Sequence, residues 1–177
     1  MNVDFLVGGG IIISHHSTTK VCTIMTDYTT EFNQLIQNVS SALGKKIDPT
    51  KYEIIDRGVP HRPPTLPPGK MGIYTFLYKG RFLKIGKAGA SSGPRFSSHH
   101  YNPNSSQSTL AASLLDDAKM VNKVNKANVK DWIMNNCQRI DVIIDEKLGV
   151  FALALIEAAL HYCYEPKYEG FPSQRKK

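Results

Sequence analysis

The stretch Gly72–Tyr78 (GIYTFLY), followed by Lys79-Gly80 and then RFLKIG up to Gly86, leaves the chain little conformational choice. Aromatic and β-branched residues on either side of a Lys-Gly pair predict two antiparallel strands closed by a tight turn. Arg139–Asp145 (RIDVIID) reads as a third strand. Gly149–Tyr164 (GVFALALIEAALHYCY) reads as a strongly apolar helix central to the core, with Pro166 marking its end. Phe32, Leu35, Ile36, Val39 and Leu43 recur at helical spacing, so an earlier helix buries one stripe. Thr29 or Thr30 can cap its start and Gly44 can end it. A Gly/Ser-rich loop from Gly86 to Gly93 leads to Pro94, which favours the first turn of a helix over PRFSSHHY. Residues 108–119 read as a helix with Ser108 as its cap, and residues 129–136, around Trp132, as a short one.

Between the first helix and the hairpin, RGVPHRPPTLPPGK (57–70) holds five prolines and two glycines. Such a segment is a stiff, extended connector. It carries Arg57, His61, Arg62 and Lys70, so it can also lie along a phosphate backbone. Residues 1–24 are Gly-rich and then carry His15, His16 and a Ser/Thr run; with Met25 as an alternative start, they read as a dispensable tail. The organisation expected is a tail over 1–24, a helix and connector over 25–70, and the main domain over 71–172.

At 177 residues the chain suits one domain with a short extension and can bury a core without disulfides or structural metals. Its net charge of +7 suits a polyanion, although a basic globular protein without such a partner has the same balance. Cys22, Cys137 and Cys163 are odd in number and lack CxxC spacing, which reads as idle thiols in a reducing, cytoplasmic compartment. No run reads as long enough to span a membrane, and the apolar stretch Phe5–Ile13 lacks the basic lead of a signal peptide.

Several residue types in this frame can carry chemistry. Glu157 sits in an almost wholly apolar helix, where a carboxylate is costly unless paired or metal-bound. An ion pair with Arg95 or Lys84 is one reading and a metal site the other. Tyr74 and Lys84 can project from one face of the hairpin; a lysine beside a phenol favours the phenolate, which would make Tyr74 a general base. Arg95 and His99 are four apart, on one helical face, and an arginine fork suits a phosphate oxygen. His100 points elsewhere on that helix. Together these supply a base, cations, a phosphate clamp and a metal carboxylate, the parts needed to hydrolyse a phosphodiester.

The ordered set resembles the GIY-YIG nuclease superfamily. Gly72-Ile73-Tyr74 matches the first signature element, and Lys84-Ile85-Gly86 resembles the second, with lysine in place of the usual tyrosine, as in some restriction endonucleases of that superfamily. Arg95, His99 and Glu157 match the helical arginine, histidine and glutamate. The resemblance covers roughly residues 60–172. It implies an α+β fold with a small three-stranded antiparallel sheet flanked by helices. It also implies roles: Tyr74 as the base that takes a proton from water, Lys84 assisting it, Arg95 steadying the phosphate, and Glu157 binding one divalent ion, Mg²⁺ or Mn²⁺. Many members carry an asparagine after the last helix in a Pro-x-x-Asn context; here Pro166 is followed three residues on by Glu169.

The function expected is therefore a metal-dependent endonuclease acting on double-stranded DNA; a double-strand cut with one site per chain would favour a homodimer. Lys70, Lys87, Ser91, Ser92 and His100 are candidates for nucleic-acid contact. The Lys/Asn-rich stretch 119–130 is a candidate for reaching a groove. Two other readings stay open: a binding module that has lost cleavage, and a nuclease acting on RNA or branched substrates.

Overall fold

Lys79 and Gly80 both take positive φ, 51° and 74°, the geometry of the two-residue turn that matches the twist of a β-hairpin. The computed structural model describes residues 27–106 and 108–169. The expected tail over 1–24, with Phe5–Ile13 and Cys22, lies outside these residues, as does the end of the expected main domain. The hairpin strands are Lys70–Tyr78 and Arg81–Ala88. They belong to an antiparallel sheet of four strands: β1 (Tyr52–Gly58), β2 (Lys70–Tyr78), β3 (Arg81–Ala88) and β4 (Gln138–Asp145), in the order β1-β4-β2-β3. The α+β class expected from the sequence is present, with four strands rather than three. The additional one, β1, is an edge strand whose apolar content is limited to Tyr52, Ile54 and Ile55. It pairs along β4, so the segment before the connector is part of the same sheet.

Five α-helices cover the sheet: α1 (Tyr28–Ala42), α2 (Gly93–Ser97), α3 (Leu110–Asp116), α4 (Val129–Asn136) and α5 (Gly149–Tyr164). α1 is capped by Asp27, whose carboxylate accepts the backbone N–H groups of Thr29 and Thr30 and the Thr30 hydroxyl; the cap is two to three residues earlier than the threonines suggest. Ser108, expected to cap α3, does not; Thr109 does so through its hydroxyl, 3.0 Å from the Ala112 amide.

Strand alternation divides the sheet into two unlike faces. One face presents Ile73, Ile85, Ile140, Val142 and Ile144 to α1 and α5, which bury Phe32, Ile36, Leu153, Ile156 and Leu160 there. With Tyr28, Phe82 and Tyr164 added, this is an apolar sandwich, and burying each such side chain contributes about 1.5–3 kcal/mol. The other face presents Tyr74, Phe76, Lys84, Arg139 and Asp141 to α2, α3 and α4. The segment Glu146–Tyr164, with a mean hydropathy of 1.3, does reach the length and composition of a membrane span, contrary to the reading of the sequence. In the fold it is the helix that packs Leu153, Ile156 and Leu160 on the sheet.

Candidate functional site

Asp141 stands directly across from Tyr74 in the β2–β4 ladder, and Arg139 across from Phe76. Both are fully buried. Arg139 donates to Asp141 at 2.8 Å, to the Tyr101 hydroxyl at 3.0 Å and to the Phe96 carbonyl at 2.9 Å, and its guanidinium lies 4.8 Å from the Phe96 ring centre. Arg57 of β1 donates to the other Asp141 oxygen at 3.0 Å. A buried guanidinium is tolerable only when its donors are met, and this one is met by a carboxylate, a hydroxyl and a carbonyl. The result is a charged floor that ties α2 to the sheet.

The two motif glycines are explained by what lies over them. A Cβ at Gly72 would fall 2.5 Å from the Phe96 ring. A Cβ at Gly86 would overlap the Tyr74 hydroxyl. Only glycine lets α2 and the phenol approach β2 and β3 so closely.

Tyr74 itself is fully buried. Its hydroxyl oxygen lies 2.6 Å from Nε2 of His100. The other ring nitrogen of His100 accepts the Leu110 amide N–H at 3.3 Å. That contact places the ring proton on Nε2, so His100 donates to the phenol oxygen. Burial, with the charges of Lys84, Arg95 and Arg139, pushes the His100 value down to about 2, and the ring stays neutral. Burial pushes the Tyr74 phenol up to about 12, against the charge and hydrogen bonding of Arg95, which pull it down. The carboxylates of Glu169 and Glu157 also act on this phenol, raising it.

The sequence expectation that Lys84 lowers the Tyr74 value is therefore corrected. Tyr74 and Lys84 do share one face of the hairpin. Yet the Lys84 ammonium is turned to Ser108 (3.0 Å), to the Tyr168 carbonyl (3.4 Å) and to Glu169 (3.2 Å), and desolvation of the phenol dominates. Glu169 accepts both Lys84 and, at 3.3 Å, the amide N–H of Ile85. Burial raises its pKa, but the His161 hydrogen bond and the charges of Lys84 and His161 outweigh that and hold it below the usual glutamate value. Glu169 and Lys84, far apart in sequence, are thus tied to each other.

Arg95 and His99 do not share one continuous helix. α2 ends at Ser97, and a separate 3-10 turn follows over His99–Tyr101. That break turns His100 inward to the phenol, where the sequence has it pointing elsewhere, and leaves His99 half-buried beside it. Arg95 is exposed and donates to the Lys87 carbonyl at 2.9 Å. Glu157 of α5 pairs with the Lys87 ammonium, rather than with Arg95 or Lys84.

Among the described residues no group of three or more His, Cys, Asp and Glu side chains is placed to hold a metal. Glu157 is one hard oxygen donor on a rigid helix, and a single carboxylate with waters is a donor set that fits Mg²⁺. Ser92 is the residue before α2, with no side-chain capping bond, and Ser91 is exposed beside it. Lys70 lies at the far end of β2, 3.8 Å from Asp145. The structure thus gathers Tyr74, His100, Arg95, Lys87 and Glu157, and leaves Lys70 apart. The role of His100 and the Arg139–Asp141 floor were missed from sequence. Arg139 and Asp141 are two apart in a strand, which puts both on one face, and that spacing was the available signal.

No family model, curated protein or solved structure matches the chain.

Proposed function

We propose that this protein is a metal-dependent endonuclease that hydrolyses DNA phosphodiester bonds. The observation that carries this reading is the Tyr74 hydroxyl, held by a neutral histidine donor, flanked by an exposed arginine, and under the influence of the Glu157 carboxylate. Tyr74 accepts the proton of the attacking water. The acting form of Tyr74 is its phenolate, left when the hydroxyl proton passes to solvent, and His100, donating from Nε2, stabilises that phenolate until it takes the water proton. Arg95 leaves the Lys87 carbonyl for a non-bridging phosphate oxygen, a better acceptor for its charged fork, and in leaving opens the buried phenol to water. Glu157, once Lys87 turns from it, would hold one divalent ion together with waters, and Lys87 would add positive charge beside the phosphate. Such an ion supplies neutralisation of the charge that develops on the phosphate and the leaving oxygen. The water oxygen forms a bond to phosphorus as the bond to the leaving oxygen breaks.

Plasmid nicking is expected with Mg²⁺ and not with EDTA. Tyr74→Phe, Arg95→Ala and Glu157→Ala are each expected to lower the rate by about 10²–10⁴, the scale of a lost general base or oxyanion contact. Metal-independent cleavage, or full activity in Glu157→Ala, overturns the reading. A second reading, a DNA-binding module without turnover, is favoured by the complete burial of Tyr74 and the Lys87–Glu157 pair. Unchanged DNA affinity with no cleavage under any divalent ion would select it.

A further inference from the structure

The Pro-rich connector and the Lys/Asn-rich stretch lie far apart in sequence, yet they form the two walls of one groove. A cavity of about 420 Å³ opens between Pro63, Asn102 and Lys126, and another of about 720 Å³ between Arg62, Lys130 and Asn135. Pro63 and Lys130 line both, so the two cavities adjoin. The connector wall is pinned. The His61 amide donates to the Met134 carbonyl at 2.9 Å, and its ring bridges the Cys137 carbonyl at 2.9 Å and the Tyr101 hydroxyl at 2.8 Å. The carbonyl can only accept, so Nδ1 carries the proton and Nε2 accepts from Tyr101, whose oxygen in turn accepts from Arg139.

The groove lining holds Arg62, Lys126 and Lys130 and contains no aspartate or glutamate. All three cations are exposed, and among the described residues none of them makes an ion pair. One end of the groove is lined by Ser98 and Asn102, on either side of His99 and His100 and one helical turn from Arg95. Along α4 the wall runs from Val129 to Asn135, about 9 Å at ~1.5 Å per residue.

We propose that this groove holds the sugar–phosphate backbone of a DNA strand next to the phosphate being cut, with Arg62, Lys126 and Lys130 as its phosphate contacts. The proposal rests on the nuclease reading for its orientation, but the groove makes a separable prediction about affinity.

The test is the affinity of the full chain for a duplex oligonucleotide across a salt titration. It compares wild type, the Arg62→Ala/Lys126→Ala/Lys130→Ala variant, the charge-preserving Lys126→Arg/Lys130→Arg variant, and a control, Lys45→Ala/Lys46→Ala, in the exposed segment after α1. The triple variant is expected to weaken binding about tenfold or more at low salt and to flatten the log–log salt slope by about 2.7, or 0.9 for each lost contact. Its melting temperature should equal that of wild type, since all three side chains are exposed. The arginine variant should bind as wild type, and the control should not change. A triple variant with wild-type affinity and slope overturns the groove even if plasmid is cleaved. So does a wild type that binds only single-stranded RNA. A wild type that binds DNA through these three cations but cleaves nothing sustains the groove and sinks the nuclease.

Discussion

Gly86 lies so close beneath the Tyr74 hydroxyl that the space between them admits no methyl group, and Gly72 stands likewise beneath Phe96. Gly86→Ala is expected to cost about 1–3 kcal/mol in denaturant unfolding, the scale of overpacking a dense site, and to lower cleavage by displacing the phenol. A wild-type unfolding midpoint in that variant would mean that the phenol is not held there. Titration of the phenol gives a second expectation. With its value pushed up to about 12, Tyr74 is protonated at neutral pH, and only the small deprotonated fraction acts as a base. The logarithm of the cleavage rate should therefore rise with unit slope as pH rises from about 6 to 9, and Tyr74→Phe should abolish that slope; a flat wild-type profile excludes Tyr74 as the base. At this scale the motif residues were legible, because tripeptides announce themselves. The electrostatics were not. Whether a lysine lowers a phenol depends on where its ammonium points, and Lys84 points at Glu169.

At the scale of elements, the hairpin, α4, β4 and α5 were legible within two residues, because each has a clear period or a clean stop. β1 was not. Tyr-Glu-Ile-Ile-Asp-Arg-Gly alternates poorly, since an edge strand packs loosely and its partner, β4, lies some 80 residues on. The break between α2 and the turn at His99 was illegible for a related reason. The local pattern continues helically, and the inward pull on His100 comes from Tyr74 and the Leu110 amide. His61 and His100 pin two connecting segments to the sheet, and both are neutral in the fold: burial, with neighbouring cations, lowers His61 to about 4 and His100 to about 2. Both values lie below the ordinary 6.5, so the unfolded chain binds protons that the folded chain refuses. Their contribution is complete above pH 6.5 and declines as pH falls, through about 4 for His61 and on towards 2 for His100. The decline is at most about 1.4 kcal/mol per pH unit for each histidine. Melting temperature should fall steadily from pH 7 to 4, and His61→Gln should flatten the upper part of that fall. A wild-type melting temperature independent of pH across this range would mean that both rings take up protons in the fold as readily as in the unfolded chain.

For the whole molecule, the sheet separates two tasks. One face is an apolar sandwich with α1 and α5. The other carries the buried charges, the phenol and the groove. α5 is not buried all round: Phe151 and Tyr162 are 88% and 87% exposed. Phe151→Ser/Tyr162→Ser should change unfolding free energy by no more than about 0.5 kcal/mol, since neither side chain packs inside the monomer. A loss of several kcal/mol on dilution-independent unfolding would show that this face is covered within the chain. The outer edge of β3 is handled differently. The segment after α5 runs along it, with the amides of Lys167 and Tyr168 on the carbonyls of Phe82 and Leu83 at 3.0 and 2.9 Å, and Asp117 clasps both side chains from across the fold. An uncovered strand edge is a template on which another chain can build. The residues that carry Glu169 to the site are therefore also what stops β3 from recruiting a foreign strand, so a chain cut short after Tyr164 would lose its solubility along with its chemistry.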